Sequence, residues 1–436
     1  MKNHLLIVVA FLLTGNILEV ITYRLQTSKV QEHVDNASND TSLSAGDWLD
    51  LAKDVSEFLG KFDEASVIID AILDSNILGV IGNLGPLFSV AGAIVGLIFG
   101  GQESAEMKFM KEQFGKVHNK LEIISDQIKD LEYIIDQSTV DMQFFNSEEN
   151  IKHQIRYLNE YMRHGVEGES KERDDFIRRF QQAGEDRNIY TLYNGIMGRG
   201  SIFTRPILKT VRDKTECYRK QVEAMGGRLV ELLTAGVMTY ISYTKISGGK
   251  TEPIQKDWEE RLKDVNEVIN EHLEYCKSNY RTFAVKDLEK IMREKEAGSN
   301  KDVVVALLDL LGDKYDWLYW MVVVYDPVSS FENHVVGGSS YVHQFRVANK
   351  NAIAMNRPRD AVGSLDHSHV RELMNLPNRP RKNAHNVYDM LRNFGIPGEI
   401  HVVRRGNGIW ATWNAPSDRV YFSAVEYSDV SVSVLV

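Results

Sequence analysis

The feature that most constrains this chain is a stretch of 28 residues without a formal charge, Ser75–Gln102 (SNILGVIGNLGPLFSVAGAIVGLIFGGQ). Charged residues make up 26% of the whole sequence, so this segment requires an apolar environment. Seven of its residues are glycine, and Gly92, Gly96 and Gly100 recur at every fourth position, which places them on one face of a helix. Such a segment forms the buried centre of a helical bundle, or it leaves that bundle and packs through its glycine face in a membrane.

The length of the segment bears on this choice. Its first half contains three glycines and a proline, which disfavour a continuous helix. A helix is predicted from Leu87 to Phe99, and its 13 residues span about 20 Å, less than the ~30 Å hydrocarbon core of a bilayer. A fixed transmembrane helix is therefore disfavoured, whereas conditional insertion fits the geometry. The candidate insertion residues are Ile77, Leu78, Leu87, Phe88, Ile94, Val95, Leu97, Ile98 and Phe99.

Immediately downstream, apolar residues recur at alternating spacings of three and four over four heptads. This a/d pattern predicts a long amphipathic helix whose seam packs against another helix. The partner is either a helix of the same chain, as in an ordinary bundle, or a second copy in a homo-oligomer. The seam residues are Met107, Met110, Phe114, Val117, Leu121, Ile124, Ile128, Leu131 and Ile135.

The N-terminal residues are typical of a secretory signal. Leu5–Leu13 is an apolar run of nine residues, too short to span a bilayer and suited to a signal peptide over residues 1–22. The alternative is a buried N-terminal helix. Residues 23–44 form a polar lead-in with two sequons, which begin at Asn36 and Asn39 and are candidate N-glycosylation sites in an exported chain. We therefore expect a secreted protein.

Further apolar stripes at helical spacing predict a helical bundle. Residues 148–185 are highly charged and predict a surface helix followed by a charged loop, and residues 190–206 are typical of a glycine-rich connector. A helix is predicted from Ile207 to Tyr243, and a second apolar stretch, Leu232–Thr244, is assigned to a core helix. Pro253 opens another helix with one apolar face.

The sequence contains two cysteines, Cys217 and Cys276. This number excludes a framework of several disulfides and a four-cysteine zinc site. In an oxidising compartment the two form a candidate disulfide, whose geometry the spacing does not determine. The alternative for Cys276, on the apolar face of its predicted helix, is an inert buried thiol.

The C-terminal part has β character. Tyr315–Tyr325 (YDWLYWMVVVY) predicts a buried strand that ends at Asp326-Pro327, and residues 327–385 are predicted to be loop-like. A glycine-containing turn at 404–408 predicts a hairpin between the first two of the later strands. These later strands are predicted at Glu399–Val403, Ile409–Trp413, Arg419–Phe422 and Val430–Val434. The predicted fold is mainly α, with a helical bundle over residues 45–330 and a smaller loop- and β-rich module over 331–436.

The clearest basic region of this acidic chain contains a repeated Asn-Arg-Pro-Arg unit. One interpretation is an extended, solvated loop stiffened by proline. The other is a docking strip for anionic lipid headgroups or sulfated glycans. The candidate docking residues are Arg357, Arg359, Arg379, Arg381 and Lys382.

No sequence motif predicts an enzyme, a metal site or a cofactor. Gly-x-Ser-x-Gly, Gly-x-Gly-x-x-Gly and His-Glu-x-x-His are absent from the sequence. With 61 acidic and 51 basic residues the net charge is −10, which argues against nucleic-acid binding. We expect neither catalysis nor a nucleic-acid partner.

Four segments together resemble the jellyfish cytolytic toxin family and related secreted animal proteins grouped with the fish protein rapunzel. They are Gly82–Gly101, Glu103–Gln137 (ESAEMKFMKEQFGKVHNKLEIISDQIKDLEYIIDQ), Gly200–Cys217 (GSIFTRPILKTVRDKTEC) and Tyr315–Val328 (YDWLYWMVVVYDPV). The resemblance covers roughly residues 45–335, and the region beyond 335 does not match the C-terminal region of the jellyfish toxins.

For the jellyfish toxins, the resemblance implies a helical domain similar to the pore-forming domain of insecticidal toxins. It further implies a hydrophobic segment, here Ile77–Gly100, that enters target-cell membranes before oligomerisation and lysis, with storage in nematocysts. The leading hypothesis is thus a secreted pore-forming cytolysin whose partners are membrane lipids and further copies of itself. The alternative is a secreted, non-lytic binding or structural protein in which the apolar segment stays in the core.

Overall fold

The computed structural model describes residue 61 and residues 64–74, 76–98, 105–122, 141–164, 170–199, 205–328, 333–338, 341–347, 349–381, 383–404, 408–424, 426–427 and 429–436. The predicted signal peptide, the polar lead-in and the sequons at Asn36 and Asn39 lie outside these residues. The described chain forms two units. Unit 1 contains the residues up to Lys214 and Gln221–Leu273, and unit 2 contains Thr215–Lys220 and Glu274–Val436.

Unit 1 is helical. Residues 64–73 form a helix, and two short 3₁₀ turns, Ile77–Gly79 and Ile81–Asn83, follow it. The next helices are α1 (Gly85–Ile98), α2 (Ala105–Glu122), α3 (Asp141–His164), α4 (Ser170–Gln182), α5 (Arg187–Met197), α6 (Ile207–Lys214), α7 (Arg219–Ile246) and α8 (Glu252–Ser278). The division between the two units falls within α7 and α8.

Helix α7 is the centre of unit 1. Every residue from Arg228 to Thr239 is buried, as expected for a helix with neighbours on all sides. Two of its glycines allow close approach: a Cβ at Gly236 would collide with Ile189 of α5, and one at Gly226 would lie 3.1 Å from Ile269 of α8. The core segment predicted at Leu232–Thr244 therefore belongs to the central helix.

Two predicted irregular regions of unit 1 are helices instead. The expected charged loop contains α4, which buries Phe176 and Phe180, and the ring of Phe180 stacks on Tyr243 of α7 at 4.3 Å between centroids. The expected connector contains α5, because its apolar side chains recur every three or four residues and outweigh the glycine at 195. The buried apolar residues of α5 are Ile189, Leu192, Tyr193 and Ile196.

The helix predicted from Ile207 to Tyr243 is interrupted. Residues 215–218 form a turn between α6 and α7, in which Glu216 and Cys217 adopt positive φ angles of 48° and 62°. Cys217 forms a disulfide with Cys276 of α8, and their Cα atoms are 5.1 Å apart. The candidate disulfide is therefore present, and the alternative of an inert buried thiol at Cys276 is wrong. The turn thus contains the first cysteine of the bridge, and the second lies in α8.

Unit 2 contains four helices and two sheets in its described part. The helices are α9 (Tyr280–Glu294), α10 (Asn300–Lys314), α11 (His367–Met374) and α12 (Ala384–Asn393). The strands are β1 (Leu318–Tyr325), β2 (His334–Gly337), β3 (Tyr341–Val347), β4 (Lys350–Pro358), β5 (Glu399–Arg404), β6 (Trp410–Trp413), β7 (Val420–Ser423) and β8 (Val430–Leu435). Sheet A has the order β3-β4-β1-β6 and sheet B the order β2-β5-β8-β7, with antiparallel pairing throughout.

The two sheets form a sandwich that helices cover on both outer faces. Along β1, Leu318, Trp320, Val322 and Val324 pack with α9 and α10. The alternate residues Met321, Val323 and Tyr325 pack between the sheets, with residues of β5, β7 and β8. Helices α11 and α12 cover the other face of sheet B. Both faces of β1 are buried, which explains why its sequence is apolar throughout.

The fold class is confirmed: the chain is mainly α, with a smaller β-rich C-terminal region. Three details differ from the prediction. Residues 327–385 contain three strands and α11 instead of loops, and the predicted hairpin is wrong because β5 belongs to sheet B and β6 to sheet A. The division near residue 273 also precedes the predicted boundary near 330, since α9 and α10 share a core with β1.

Candidate functional site

The candidate site is the apolar segment of unit 1, defined here as Ile77–Ile98. It begins with the two 3₁₀ turns and continues as α1, so the backbone changes direction where glycine and proline disfavour a helix. Its described large apolar side chains are buried, with the exceptions of the half-buried Leu78 and Val80. The buried members are Ile77, Ile81, Leu84, Leu87, Phe88 and Val90.

Two hydrogen bonds join the apolar segment to other helices within the described residues. Ser242 Oγ of α7 donates to the Ala91 carbonyl at 3.3 Å. Gln255 Nε2 of α8 donates to the Phe88 carbonyl at 3.2 Å. Both acceptors are backbone carbonyls within α1, so the helix retains its own hydrogen bonds if these contacts break. The segment is therefore held in the bundle mainly by apolar burial.

Of the three glycines of the predicted face, the structure describes the surroundings of one, Gly92. A Cβ at Gly92 would lie 3.2 Å from Gln255 Nε2, 3.4 Å from Thr251 Oγ1 and 3.5 Å from Ile241 Cγ2. Gly92 therefore allows α1 to approach α7 and the start of α8 within unit 1. Gly96 lies on the described backbone of α1, whereas Gly100 falls outside the described residues, so packing through all three glycines stays a prediction.

Some predicted insertion residues lie beyond what the structure describes. Ile94, Val95, Leu97 and Ile98 belong to the backbone of α1, and their side chains are outside the described part, as is Phe99. Across the described residues, no helix combines the length and the apolar character needed to cross a membrane.

The heptad seam packs inside unit 1 where its side chains are described. Phe114, Val117 and Leu121 of α2 are buried, and Asn159 Nδ2 of α3 donates to the Phe114 carbonyl at 3.4 Å. For this part of the seam the partner is a helix of the same chain. Met107 and Met110 are described by their backbone alone, and Ile124, Ile128, Leu131 and Ile135 lie outside the described residues.

A buried charge cluster lies in the same bundle, and the sequence analysis missed it. Its members are Glu148 and Lys152 of α3 and Arg228 and Glu231 of α7, whose side chains are at most 7% exposed. Arg228 donates to the Glu148 carboxylate and, at 2.7 Å, to the Leu121 carbonyl of α2. Lys152 Nζ lies 3.1 Å from Glu148 Oε1. The cluster thus connects α2 and α3 to the central helix α7.

The electrostatics of this cluster depend on its balance of charge. Burial raises the pKa of the Glu231 carboxyl above its usual range, while the Arg228 and Lys120 cations lower it. Arg228 Nη1 lies 3.9 Å from Glu231 Oε2. Two carboxylates and two cations therefore share a region from which water is excluded. The sequence signal that could have revealed this cluster was the presence of Arg228 and Glu231 within the apolar part of α7.

His272 of α8 provides a test of the electrostatics of unit 1 by pH. Arg212 Nη1 lies 3.3 Å from His272 Nδ1, and burial, with Arg212 adding to it, lowers the pKa of His272 from 6.5 to about 4. The unfolded chain therefore binds a proton that the folded chain does not, so stability present above pH 6.5 is lost as the pH falls towards 4.

We expect His272→Gln to flatten this part of the stability profile, measured by amide exchange of α8 between pH 4 and 7. The same slope in His272→Gln as in the wild type would contradict this assignment. The control for loss of an imidazole is His153→Gln, a substitution at a half-exposed histidine of α3.

The predicted basic docking strip is not a strip in the structure. The side chain of Arg379 is 7% exposed and forms a two-pronged ion pair with Asp429, at 2.8 and 3.0 Å, so it is unavailable to an external anion. Arg357 lies near the end of β4 and Arg359 directly follows that strand. Arg381 is exposed in a separate segment, and Lys382 lies outside the described residues. The two Asn-Arg-Pro-Arg units thus have different structures, because one completes a strand and the other does not.

Comparison with known proteins identifies relatives for the helical part. Residues 100–298 match the family model described as the cephalotoxin-like middle helical domain. The protein rapunzel of Danio rerio is 32% identical over 192 residues, which cover 44% of this chain and 85% of rapunzel. No solved structure shows significant similarity to the chain.

Proposed function

The chain belongs to the family of the protein rapunzel and contains a cephalotoxin-like middle helical domain, and we propose that it is a secreted cytolysin that forms pores in target membranes. The apolar segment Ile77–Ile98 is the part that enters the bilayer. Its partners are membrane lipids and further copies of the same chain. The toxin name of the matched domain supports this proposal, and so do the features of the apolar segment.

One observation carries the proposal: the segment is apolar, buried and joined to its neighbours by two hydrogen bonds in the described part of the chain. In water, exposing each large apolar side chain costs about 1.5–3 kcal/mol. At a membrane, acyl chains replace the bundle as the apolar surroundings, so this cost largely disappears. Breaking two neutral hydrogen bonds costs about 1 kcal/mol each. The bilayer therefore selectively lowers the free energy of the released segment.

Two further features support export and assembly. The Cys217–Cys276 disulfide is typical of proteins from oxidising compartments, in agreement with the predicted signal peptide. After release from α7 and α8, Gly92 would be free for close packing between copies, together with Gly96 and Gly100. Oligomerisation in the membrane then provides packing partners for helices that are individually too short to form a pore.

A second candidate is a secreted, non-lytic binding or structural protein. The close fit of Gly92 against Ile241, Thr251 and Gln255 favours it, since this packing is typical of a permanent core. Under this alternative the same segment never leaves unit 1.

Release of dye from liposomes tests the proposal. The purified full chain is added to vesicles loaded with a self-quenching dye, with and without anionic lipid. Pore formation predicts release that rises with protein concentration, and dextrans of increasing size then give the pore diameter. Intact vesicles at concentrations that saturate binding would contradict the proposal and favour the non-lytic alternative.

A further inference from the structure

One end of the sandwich in unit 2 gathers arginines around a tyrosine. In the pairing of β1 with β4, Tyr319 lies opposite Arg357, so their side chains share a face of sheet A. The backbone N–H of Arg359 donates to the Trp317 carbonyl at 3.1 Å, which continues this register by two residues. Arg359 therefore emerges on the same face as Arg357, next to Tyr319.

A third arginine reaches the same ring from sheet B. Arg419 lies in the 3₁₀ turn before β7, and its Cζ is 5.5 Å from the centroid of the Tyr319 ring. The Cζ of Arg359 is 5.4 Å from the same centroid. The arginine cluster is defined here as Arg357, Arg359 and Arg419.

Two donors of the arginine cluster have no acceptor in the part of the chain that the structure describes. Arg357 Nε and Arg419 Nη1 are buried N–H groups without a hydrogen-bond partner among the described residues. A buried donor without a partner costs about 1–3 kcal/mol, more when it is charged. Such groups in a native structure indicate a ligand, an ion or water that completes the site.

The charge of the site is also unbalanced. In the part of the chain that the structure describes, Glu399 is the carboxylate within ion-pair distance, with its Oε1 3.4 Å from Arg357 Nη2. Three guanidinium cations against this carboxylate leave an excess of positive charge, which suits the charge of about −1.5 to −2 on a phosphate monoester at neutral pH. Guanidinium groups bind phosphate oxygens through two parallel N–H bonds, and the exposed Arg359 leaves the site open to solvent.

We propose that the arginine cluster binds a phosphate group. The group is either a free phosphate ion or the phosphomonoester headgroup of a lipid. The site is separate from the apolar segment and does not depend on pore formation. Only part of the basic region is available to a phosphate group. In the second Asn-Arg-Pro-Arg unit, Asp429 neutralises the first arginine.

The test compares phosphate binding by the full-length wild type and by single variants. Isothermal titration with inorganic phosphate is performed at constant ionic strength, set with KCl, so that screening is equal throughout. We expect saturable binding by the wild type and a loss of about tenfold or more in affinity for Arg359→Gln and Arg419→Gln, because each removes a charge-assisted donor. The matched control is Arg381→Gln, the equivalent exposed position of the second repeat, which should bind like the wild type.

Each result has a defined meaning. Loss of binding in Arg359→Gln with an unchanged melting temperature supports the site, since this exposed residue is not needed for folding. Sedimentation with phosphatidylcholine vesicles that contain phosphatidic acid, against phosphatidylglycerol at equal surface charge, then identifies the source of the phosphate. Preferential binding to phosphatidic acid assigns a lipid headgroup, and its absence assigns free phosphate. No saturable binding by the wild type, or equal affinities for the wild type and both cluster variants, would overturn the proposal, whatever the leakage assay shows.

Discussion

Replacing Arg228 with methionine is expected to destabilise unit 1 by about 3–5 kcal/mol, because it leaves buried carboxylates without their main cation. Arg228 pairs with Glu148 and Glu231 and also donates to the Leu121 carbonyl. Methionine retains most of the side-chain volume, so the loss reflects charge and hydrogen bonding more than a cavity. Amide exchange of α7 in the full chain measures the change, since it reports unit 1 separately from unit 2.

The matched control for Arg228→Met is Arg156→Met on α3. Arg156 Nε lies 3.9 Å from Glu160 Oε1, and both side chains are about half exposed. Exposed ion pairs contribute about 0–1 kcal/mol, so this variant should exchange nearly like the wild type. Similar effects of the two substitutions would show that the buried charge cluster contributes no more than a surface pair.

Removing the disulfide with Cys217→Ala and Cys276→Ala is expected to lower the free energy of unfolding by about 4 kcal/mol, from the loss of chain constraint in the unfolded state. The two cysteines are separated by 59 residues, so the bridge closes a long loop. Both are buried, and alanine avoids placing an unpaired hydroxyl there. Guanidinium unfolding followed by circular dichroism measures the change.

Reduction of the wild type provides the control for the disulfide. Wild-type protein in reductant should unfold at the denaturant concentration of the double alanine variant, and the reductant should not affect that variant. An oxidised wild type no more stable than the double variant would show that the bridge does not constrain the unfolded chain.

The sequence predicted elements whose pattern is local. The central part of α7 and the strand β1 are apolar runs of the appropriate length, and α8 begins near Pro253 as expected. The breaks before α1 followed from glycine and proline. In each case the deciding interactions lie within a few residues along the chain, so periodicity and turn residues were sufficient.

Elements that depend on distant partners were missed. The turn between β5 and β6 favoured a hairpin, yet β6 pairs with β1, almost 90 residues earlier in the chain. Arg379 resembled a free cation because Asp429, which neutralises it, lies 50 residues away in sequence. The same reason applies to the candidate site: the apolar character of Ile77–Ile98 was evident, whereas its contacts with Ser242 and Gln255 required the folded structure.

Release of the apolar segment is the central claim, and a reversible covalent lock tests it most directly. In the structure a Cβ at residue 92 would lie 3.4 Å from Thr251 Oγ1, close to the separation of a Cβ and the opposite sulfur in a disulfide. Gly92→Cys combined with Thr251→Cys should therefore join α1 to the residue preceding α8 when oxidised. The two single variants and the wild type, each with and without reductant, control for the substitutions and for the native disulfide.

The measurement is dye release from liposomes by the oxidised and the reduced double variant at equal vesicle binding. The account predicts that the oxidised variant binds vesicles without releasing dye and that reduction restores release to the level of the reduced Gly92→Cys single variant. Equal release by the oxidised variant, with the lock confirmed by mass spectrometry, would contradict it, because the segment would then remain in the bundle while the membrane is permeabilised.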